Sequence, residues 1–188
     1  MLKLKKLVLA SKSPRRQQLL KDAGFEFTID TVDVEEHFSE DLKKQEVALY
    51  LSGIKADAYT KPLGDSVLLT ADTIVCLGDR IINKPSDEQD AFRMLKDLSG
   101  KMHEVFTGVT LKSAGRSHSF YERTEVYFKP LSDAEIGHYI AMCKPFDKAG
   151  AYGIQEWIGY IGVRGINGCF YNVMGLPLSR LYQELAEF

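Results

Sequence analysis

Apolar and polar positions alternate so as to divide the chain into short strand-like and helix-like blocks. Leu7–Ala10 is an apolar run of strand length, and Phe25–Val32 alternates with a period of two. Between them Ser13 is a good N-cap, Pro14 sits at the first helical position, and Leu19 and Leu20 supply an apolar face that Gly24 ends. Val47, Leu51, Ile54 and Ala58 recur at helical spacing and predict a helix from about Asp41 to Tyr59. Val67–Leu77 is β-rich, and Gly78-Asp79 suits a two-residue hairpin turn into Arg80–Ile82. Ser86 and Gln89 predict a capping box for a helix with Ala91, Met94, Leu95 and Leu98 inside and Gly100 as its stop. Met102–Lys112 and Ser117–Phe128 predict two long strands paired antiparallel across Ala114-Gly115. Ser132 and Glu135 predict a second capping box, ahead of Ile136, Tyr139 and Ile140. Lys144–Phe170 reads as glycine-rich and irregular, with Gly159, Gly162, Gly165 and Gly168 at every third position, and Leu176–Phe188 reads as a closing helix. Strands and helices alternate without strict βαβ regularity, which argues for an α/β protein with a mixed sheet.

Length and composition narrow the class. The 188 residues suit one compact unit or two small lobes, and with 45% hydrophobic residues no disulfide or metal staple is needed. Basic and acidic residues number 24 and 26, so the net charge of −2 lacks the basic excess of a nucleic-acid coat. Lys3, Lys5 and Lys6 make the N-terminus basic, but Leu7–Ala10 is too short a run for a signal peptide, and no apolar stretch is long enough to span a bilayer. Cys76, Cys143 and Cys169 form no close pair, which suits reduced thiols. The four histidines make no HExxH or Cys/His cluster, so no structural zinc is expected. The expectation is a soluble cytoplasmic protein whose partners include neither a nucleic-acid polymer nor a membrane.

Four segments carry residues that are unfavourable where they stand unless they do chemistry. Ser11-Lys12-Ser13-Pro14-Arg15-Arg16 falls between a strand and a helix start. Free N–H groups make such a turn an anion site, and two arginines in a first turn oppose the helix dipole unless phosphate binds them. The competing reading is a solvated basic turn capped by Ser13. Asp72, within Leu68–Val75, is a carboxylate in a buried strand, which is costly unless it is ion-paired or holds a metal. Glu36 could supply a second carboxylate for a hard cation, although Asp33–Glu36 also fits a solvated loop. Lys55 and Lys84 could balance phosphate charge or be surface lysines. Asp147–Gln155 mixes small and polar residues, as a close ligand approach needs and as a plain glycine-rich turn also would. Walker, GxGxxG and GxSxG motifs are absent, so a P-loop, a dinucleotide fingerprint and a Ser/His/Asp hydrolase have no support.

Together these segments resemble the Maf family of nucleoside triphosphate pyrophosphatases. The resemblance runs through Leu9–Arg16, Ala71–Val75, Asn83-Lys84-Pro85, Leu98–Val109, Asp147–Gln155 and Asn172–Leu178, in family order over nearly the whole chain. It implies a single domain over residues 1–188, either undivided or as two lobes around a cleft, with a Maf/ITPase-like mixed α/β fold. That fold is an elongated curved sheet flanked by helices, with a central nucleotide-binding cleft. The implied reaction converts a nucleoside triphosphate to the monophosphate and pyrophosphate with a divalent cation, Mg²⁺ or Mn²⁺. The resemblance places the catalytic carboxylate at Asp72 and polar cleft residues at Glu36, Lys55 and Lys84. The oxygen-only pair Glu36 and Asp72 is the expected metal site, opposite a phosphate cradle of Ser11, Ser13, Arg15, Arg16, Lys55 and Lys84. Thr after that Asp, with a Gly-Ile-Gln segment, resembles the branch preferring dTTP and UTP, with selectivity at Arg15, Thr73 and Gln155. A homodimer is a further expectation, since family members often form dimers.

Gln155 can match the N3–H donor and carbonyl acceptors of thymine and uracil, provided that its amide is fixed by neighbours. Thr73 poses a difficulty, because adjacent residues of a flat strand point to opposite faces. Glu156 stands where the family commonly has glycine, and Cys169-Phe170 where it has Ser-Tyr. Two other classes compete: a nucleotide-binding regulator of septum formation and cell division without essential catalysis, and a metal phosphatase removing only the terminal phosphate.

Overall fold

The computed structural model describes residues 5–188, so Lys3 lies outside the described residues. These contain strands β1 (Leu7–Leu9), β2 (Phe27–Ile29), β3 (Val67–Leu77), β4 (Arg80–Ile82), β5 (Met102–Lys112), β6 (Ser117–Phe128) and β7 (Val163–Asn167). The helices are α1 (Pro14–Asp22), α2 (Gln45–Asp57), α3 (Glu88–Leu98), α4 (Asp133–Cys143), α5 (Trp157–Gly162), α6 (Phe170–Met174) and α7 (Leu178–Glu187). One sheet joins the strands in the order β2-β1-β3-β5-β6-β7, with β4 beside β3. β1 runs parallel to β2 and β3, whereas β4 is antiparallel to β3 and β7 to β6, so the expected mixed α/β sheet is present. None of the described helices is long and apolar enough to cross a membrane. By packing, the chain divides into two compact units. The first contains the residues up to Asp72, Thr107–Glu122 and Gly175–Phe188, and the second contains Thr73–Phe106 and Arg123–Met174.

In the first unit, Leu7 and Leu9 pair with Val67 and Leu69, and all four are buried. On its other side β1 pairs with β2, which is shorter than the expected Phe25–Val32 because it is an edge strand with an exposed Ile29. Just beyond it, the Asp30 carboxylate accepts hydrogen bonds from the Tyr59 hydroxyl at 3.0 Å and the Lys61 ammonium at 2.7 Å. Helix α2 starts at Gln45, later than its apolar spacing suggested, and Ala58 is its exposed C-cap. Its buried face is Val47, Ala48, Leu51, Ser52 and Ala56. Small residues fit at Ala48 and Gly108 because there the helix backbone lies directly against β5. A Cβ at Gly108 would stand 2.3 Å from the Ala48 carbonyl oxygen. The polar atoms buried by this approach satisfy one another. Thr70 Oγ1 donates to the Ser52 carbonyl at 2.7 Å, and the Ser52 and Thr110 hydroxyls pair at 3.0 Å.

The second unit is built on a core that includes Val75, Leu95, Leu98, Phe128, Ile136 and Tyr139. The expected cap of α3 is displaced by one residue. Asp87, not Ser86, is the N-cap and accepts from the Asp90 N–H at 2.8 Å, while the Asp90 carboxylate accepts from the Ser86 N–H at 3.0 Å. Aspartate caps as well as serine does, and Gln89 takes no part. The Ser132/Glu135 box of α4 forms as expected. Lys144–Phe170 is more ordered than its glycines suggested, since it contains α5, β7 and a single 3-10 turn over Ala149–Ala151. Gly159 is a packing requirement rather than a loop signal: a Cβ there would stand 1.7 Å from the Ile154 carbonyl oxygen.

Candidate functional site

The first unit assembles a charged cluster from three directions. At the end of β1, the Ala10 N–H donates to the Leu69 carbonyl at 3.0 Å and holds the outgoing turn against β3. Ser11 Oγ then accepts from the Ser13 N–H at 3.2 Å, and Ser13 Oγ accepts from the Arg16 N–H at 3.4 Å, capping α1. Both hydroxyls thus shape the turn as acceptors and retain a hydrogen to donate. The first turn of α1 holds Arg15 and Arg16 and no acidic residue, so the positive helix end is reinforced rather than balanced. Arg16 is tied down by Nε to the Gly175 carbonyl at 2.8 Å and by a terminal nitrogen to Ser11 Oγ at 3.3 Å.

From a second direction comes Lys55, in the last turn of α2, and from a third Asp72, in mid-β3. Their charged groups meet at 2.5 Å, with side chains only 13% and 14% exposed. Glu36, in the loop before α2, reaches the same ammonium at 2.7 Å. Both expected metal-binding carboxylates therefore converge on one cation, as the ion-pair reading of Asp72 required. Burial pushes the Arg16 guanidinium below its usual pKa, the charges of Asp72 and Glu36 pull it back up, and Arg15 depresses it further. Ser11, Ser13, Arg15, Arg16, Glu36, Lys55 and Asp72 all belong to this unit.

The other three expected residues belong to the second unit. Thr73 follows Asp72 in an unbroken strand, so alternation sends their side chains to opposite faces. Lys84 is exposed beside Asn83, whose carbonyl accepts from the Gly150 N–H at 3.1 Å. Gln155 sits in a turn in which the Glu156 N–H donates to the Gly153 carbonyl at 3.0 Å. Its side-chain Oε1 is buried with no hydrogen-bond partner among the described residues. Glu156, which departs from the resemblance, accepts from the Tyr139 hydroxyl, and its other oxygen lies 3.2 Å from Lys148 Nζ. Burial, then Glu156, push the Tyr139 phenol well above its usual pKa.

A family model described as Maf-like protein matches residues 6–188. The chain belongs to the Maf family. It is 54% identical over 181 residues to a Cytophaga hutchinsonii protein named dTTP/UTP pyrophosphatase, covering 96% of this chain and 83% of that one. A Phocaeicola vulgatus protein of the same name is 51% identical over 184 residues, covering 97% and 95% respectively. Among solved structures, a HAM1 protein from Coxiella burnetii superposes with a TM-score of 0.51 at 17% identity, covering 98% of this chain and all of that one. That last likeness is one of fold.

In this Maf protein, sequence reasoning missed the roles of Tyr139 and Lys148. The sequence pattern places Tyr139 only in the core, yet its hydroxyl joins Gly153 to Glu156. The usable signal was Glu156 itself, a carboxylate in a segment otherwise rich in small residues, which calls for a buried cation or donor nearby.

Proposed function

We infer that the chain is a nucleoside triphosphate pyrophosphatase that hydrolyses dTTP and UTP to the monophosphate and pyrophosphate, with residues 1–188 acting as one domain. The names carried by its close relatives favour catalysis over a purely regulatory nucleotide-binding role. The observation that carries the chemistry is the Lys55 ammonium held between Asp72 and Glu36, in a unit that also presents Arg15 and Arg16 at a helix N-terminus. Three cations against two carboxylates leave the cluster short of negative charge, which a triphosphate supplies. Arg15, Arg16 and the turn of Ser11 and Ser13 bind phosphate oxygens, and Lys55 and Lys84 neutralise their charge. Asp72, with Oδ1 on Lys55, offers its second oxygen to the proton of the water that opens the α–β anhydride bond. Pyrophosphate leaves as the water oxygen bonds to phosphorus. Gln155 reads the base through its buried Oε1, which has no partner among the described residues. Thr73, on the opposite face of β3 from Asp72, contributes to selectivity indirectly.

The donor set fits a divalent cation. Asp72 and Glu36 offer only hard oxygens converging on one cationic point. Among the described residues no group of three or more His, Cys, Asp or Glu could hold a metal. Mg²⁺ and Mn²⁺ sites of this kind are completed by water and phosphate oxygens. Asp72 and Glu36 would hold the ion, which when bound neutralises phosphate charge and polarises the bond to be broken.

Chromatography of UTP incubated with enzyme and Mg²⁺ tests the reading. UMP and pyrophosphate are expected. UDP with orthophosphate would make the protein a terminal phosphatase, and tight binding without turnover would make it a regulator. Sedimentation of the same sample tests for the expected homodimer.

A further inference from the structure

A glutamine reads a base only when its amide is held in one orientation. Thymine and uracil present an N3–H donor beside carbonyl acceptors, whereas cytosine presents an N3 acceptor beside an amine, so an amide free to turn over pairs with either. Around Gln155 the second unit contains a polar network that the hydrolytic chemistry does not use. Glu156 is engaged through both carboxylate oxygens: Oε2 accepts from the Tyr139 hydroxyl, and Oε1 lies 3.2 Å from Lys148 Nζ. The same Tyr139 oxygen accepts from the Gly153 N–H at 3.0 Å. Gln155 therefore lies within a four-residue turn closed by its own backbone bond and fastened at both ends to one phenol.

The anchor is itself well supported. Lys148 is only 8% exposed, and its other carboxylate partner, Asp147 at 2.7 Å, is largely in solvent. Glu156 is the counter-charge that faces it from inside, which makes the pair hard to break. Gly153 completes the device. A Cβ there would stand 2.8 Å from Glu156 Cδ and 3.1 Å from Gln155 Nε2, so both side chains share the space beside that glycine.

We propose that Glu156, through Tyr139 and Lys148, is a positioning residue for base selection, fixing the turn that presents the Gln155 amide. The proposal rests on Gln155 reading the base. It accounts for a carboxylate at a position where the resemblance has glycine, and it assigns Tyr139 a task beyond core packing.

The test compares kcat/KM for UTP and CTP in the wild type, Glu156→Ala, Tyr139→Phe, Gln155→Ala and the Gln155→Ala/Glu156→Ala double variant, with thermal melting of each. The preference for UTP should fall on the order of tenfold in Glu156→Ala and in Tyr139→Phe, as for residues coupled within one network. In the double variant it should equal that of Gln155→Ala, because Glu156 acts only through Gln155. Tyr139→Phe loses a single hydroxyl and keeps the test open should Glu156→Ala unfold. A purely structural role would lower both nucleotides together and leave the ratio unchanged, which overturns the proposal. A further fall in the double variant overturns it as well. A wild type without preference for UTP, or a Gln155→Ala variant that retains the preference, refutes the base-reading assignment itself and the proposal with it.

Discussion

Asp72→Asn removes one negative charge and almost no volume, and the surrounding geometry says what each property should do. Lys55 loses its ionic contact at 2.5 Å but keeps Glu36 at 2.7 Å, and the asparagine carbonyl can still accept from it. Removing one partner of a buried ion pair usually costs about 3–5 kcal/mol. Glu36 is 44% exposed, so it offsets part of that loss, and about 1–2 kcal/mol of destabilisation is expected. For a chain of this length each kcal/mol moves Tm by about 2–4 °C, so the variant should melt roughly 2–8 °C lower. Activity answers on a different scale. Loss of an essential proton acceptor or metal ligand lowers kcat by about 10²–10⁴, or about 3–5 kcal/mol in the barrier. The assay is chromatographic release of UMP from UTP at saturating Mg²⁺, beside a thermal melt of the same preparation. A folded variant turning over within tenfold of wild type would remove Asp72 from the reaction. A fall in Tm beyond about 15 °C would instead assign Asp72 to the fold.

Other expectations follow from the same geometry. Gly108→Ala drives a methyl into the α2 backbone and should cost about 3 kcal/mol, lowering Tm by at least about 6 °C. UTP turnover should fall with it because α2 carries Lys55, and an unchanged melt would contradict the close approach of α2 to β5. Arg15→Ala and Lys84→Ala should each raise KM for UTP about tenfold or more, the worth of a charge-assisted hydrogen bond, with smaller changes in kcat. An unaltered KM in either variant removes that residue from triphosphate binding. His103 is buried, with Nε2 2.7 Å from the Tyr152 hydroxyl, and burial lowers its pKa from 6.5 to about 4. The unfolded chain takes up that proton nearer 6.5, so the contribution is complete above 6.5 and is lost as pH falls toward 4. Urea unfolding should therefore show stability lower by about 2 kcal/mol at pH 5 than at pH 7 from this group. His103→Gln should abolish that difference, and an equal loss in the variant would assign it elsewhere.

What could be read along the chain was whatever neighbours within about four residues decide. The Ser13 cap, the Ser132/Glu135 box, the hairpin from β3 to β4 and the bounds of β5 and β6 are of this kind. Caps, turns and alternation are satisfied locally, so they leave local signatures. The candidate residues were legible for a related reason. Arginines in a first helical turn and an aspartate inside an apolar strand are unfavourable unless something compensates them, and that mismatch is visible without a fold. What compensates them was not visible. Lys55 meets Asp72 in a unit where α2 lies against β5 at Gly108, a position with no side chain to hold the two apart. The short edge strand β2, cut to the length of its pairing with β1, and the helix hidden among the glycines after Ile154, where a Cβ at Gly162 would stand 3.2 Å from Leu131 Cδ2, likewise depend on residues distant in sequence. So was the fastening of Glu156 to Tyr139, which α4 brings from 17 residues away. Periodicity records which side of an element is apolar. Which side chains then meet depends on how closely two packed surfaces approach, and that is fixed by steric fit between elements.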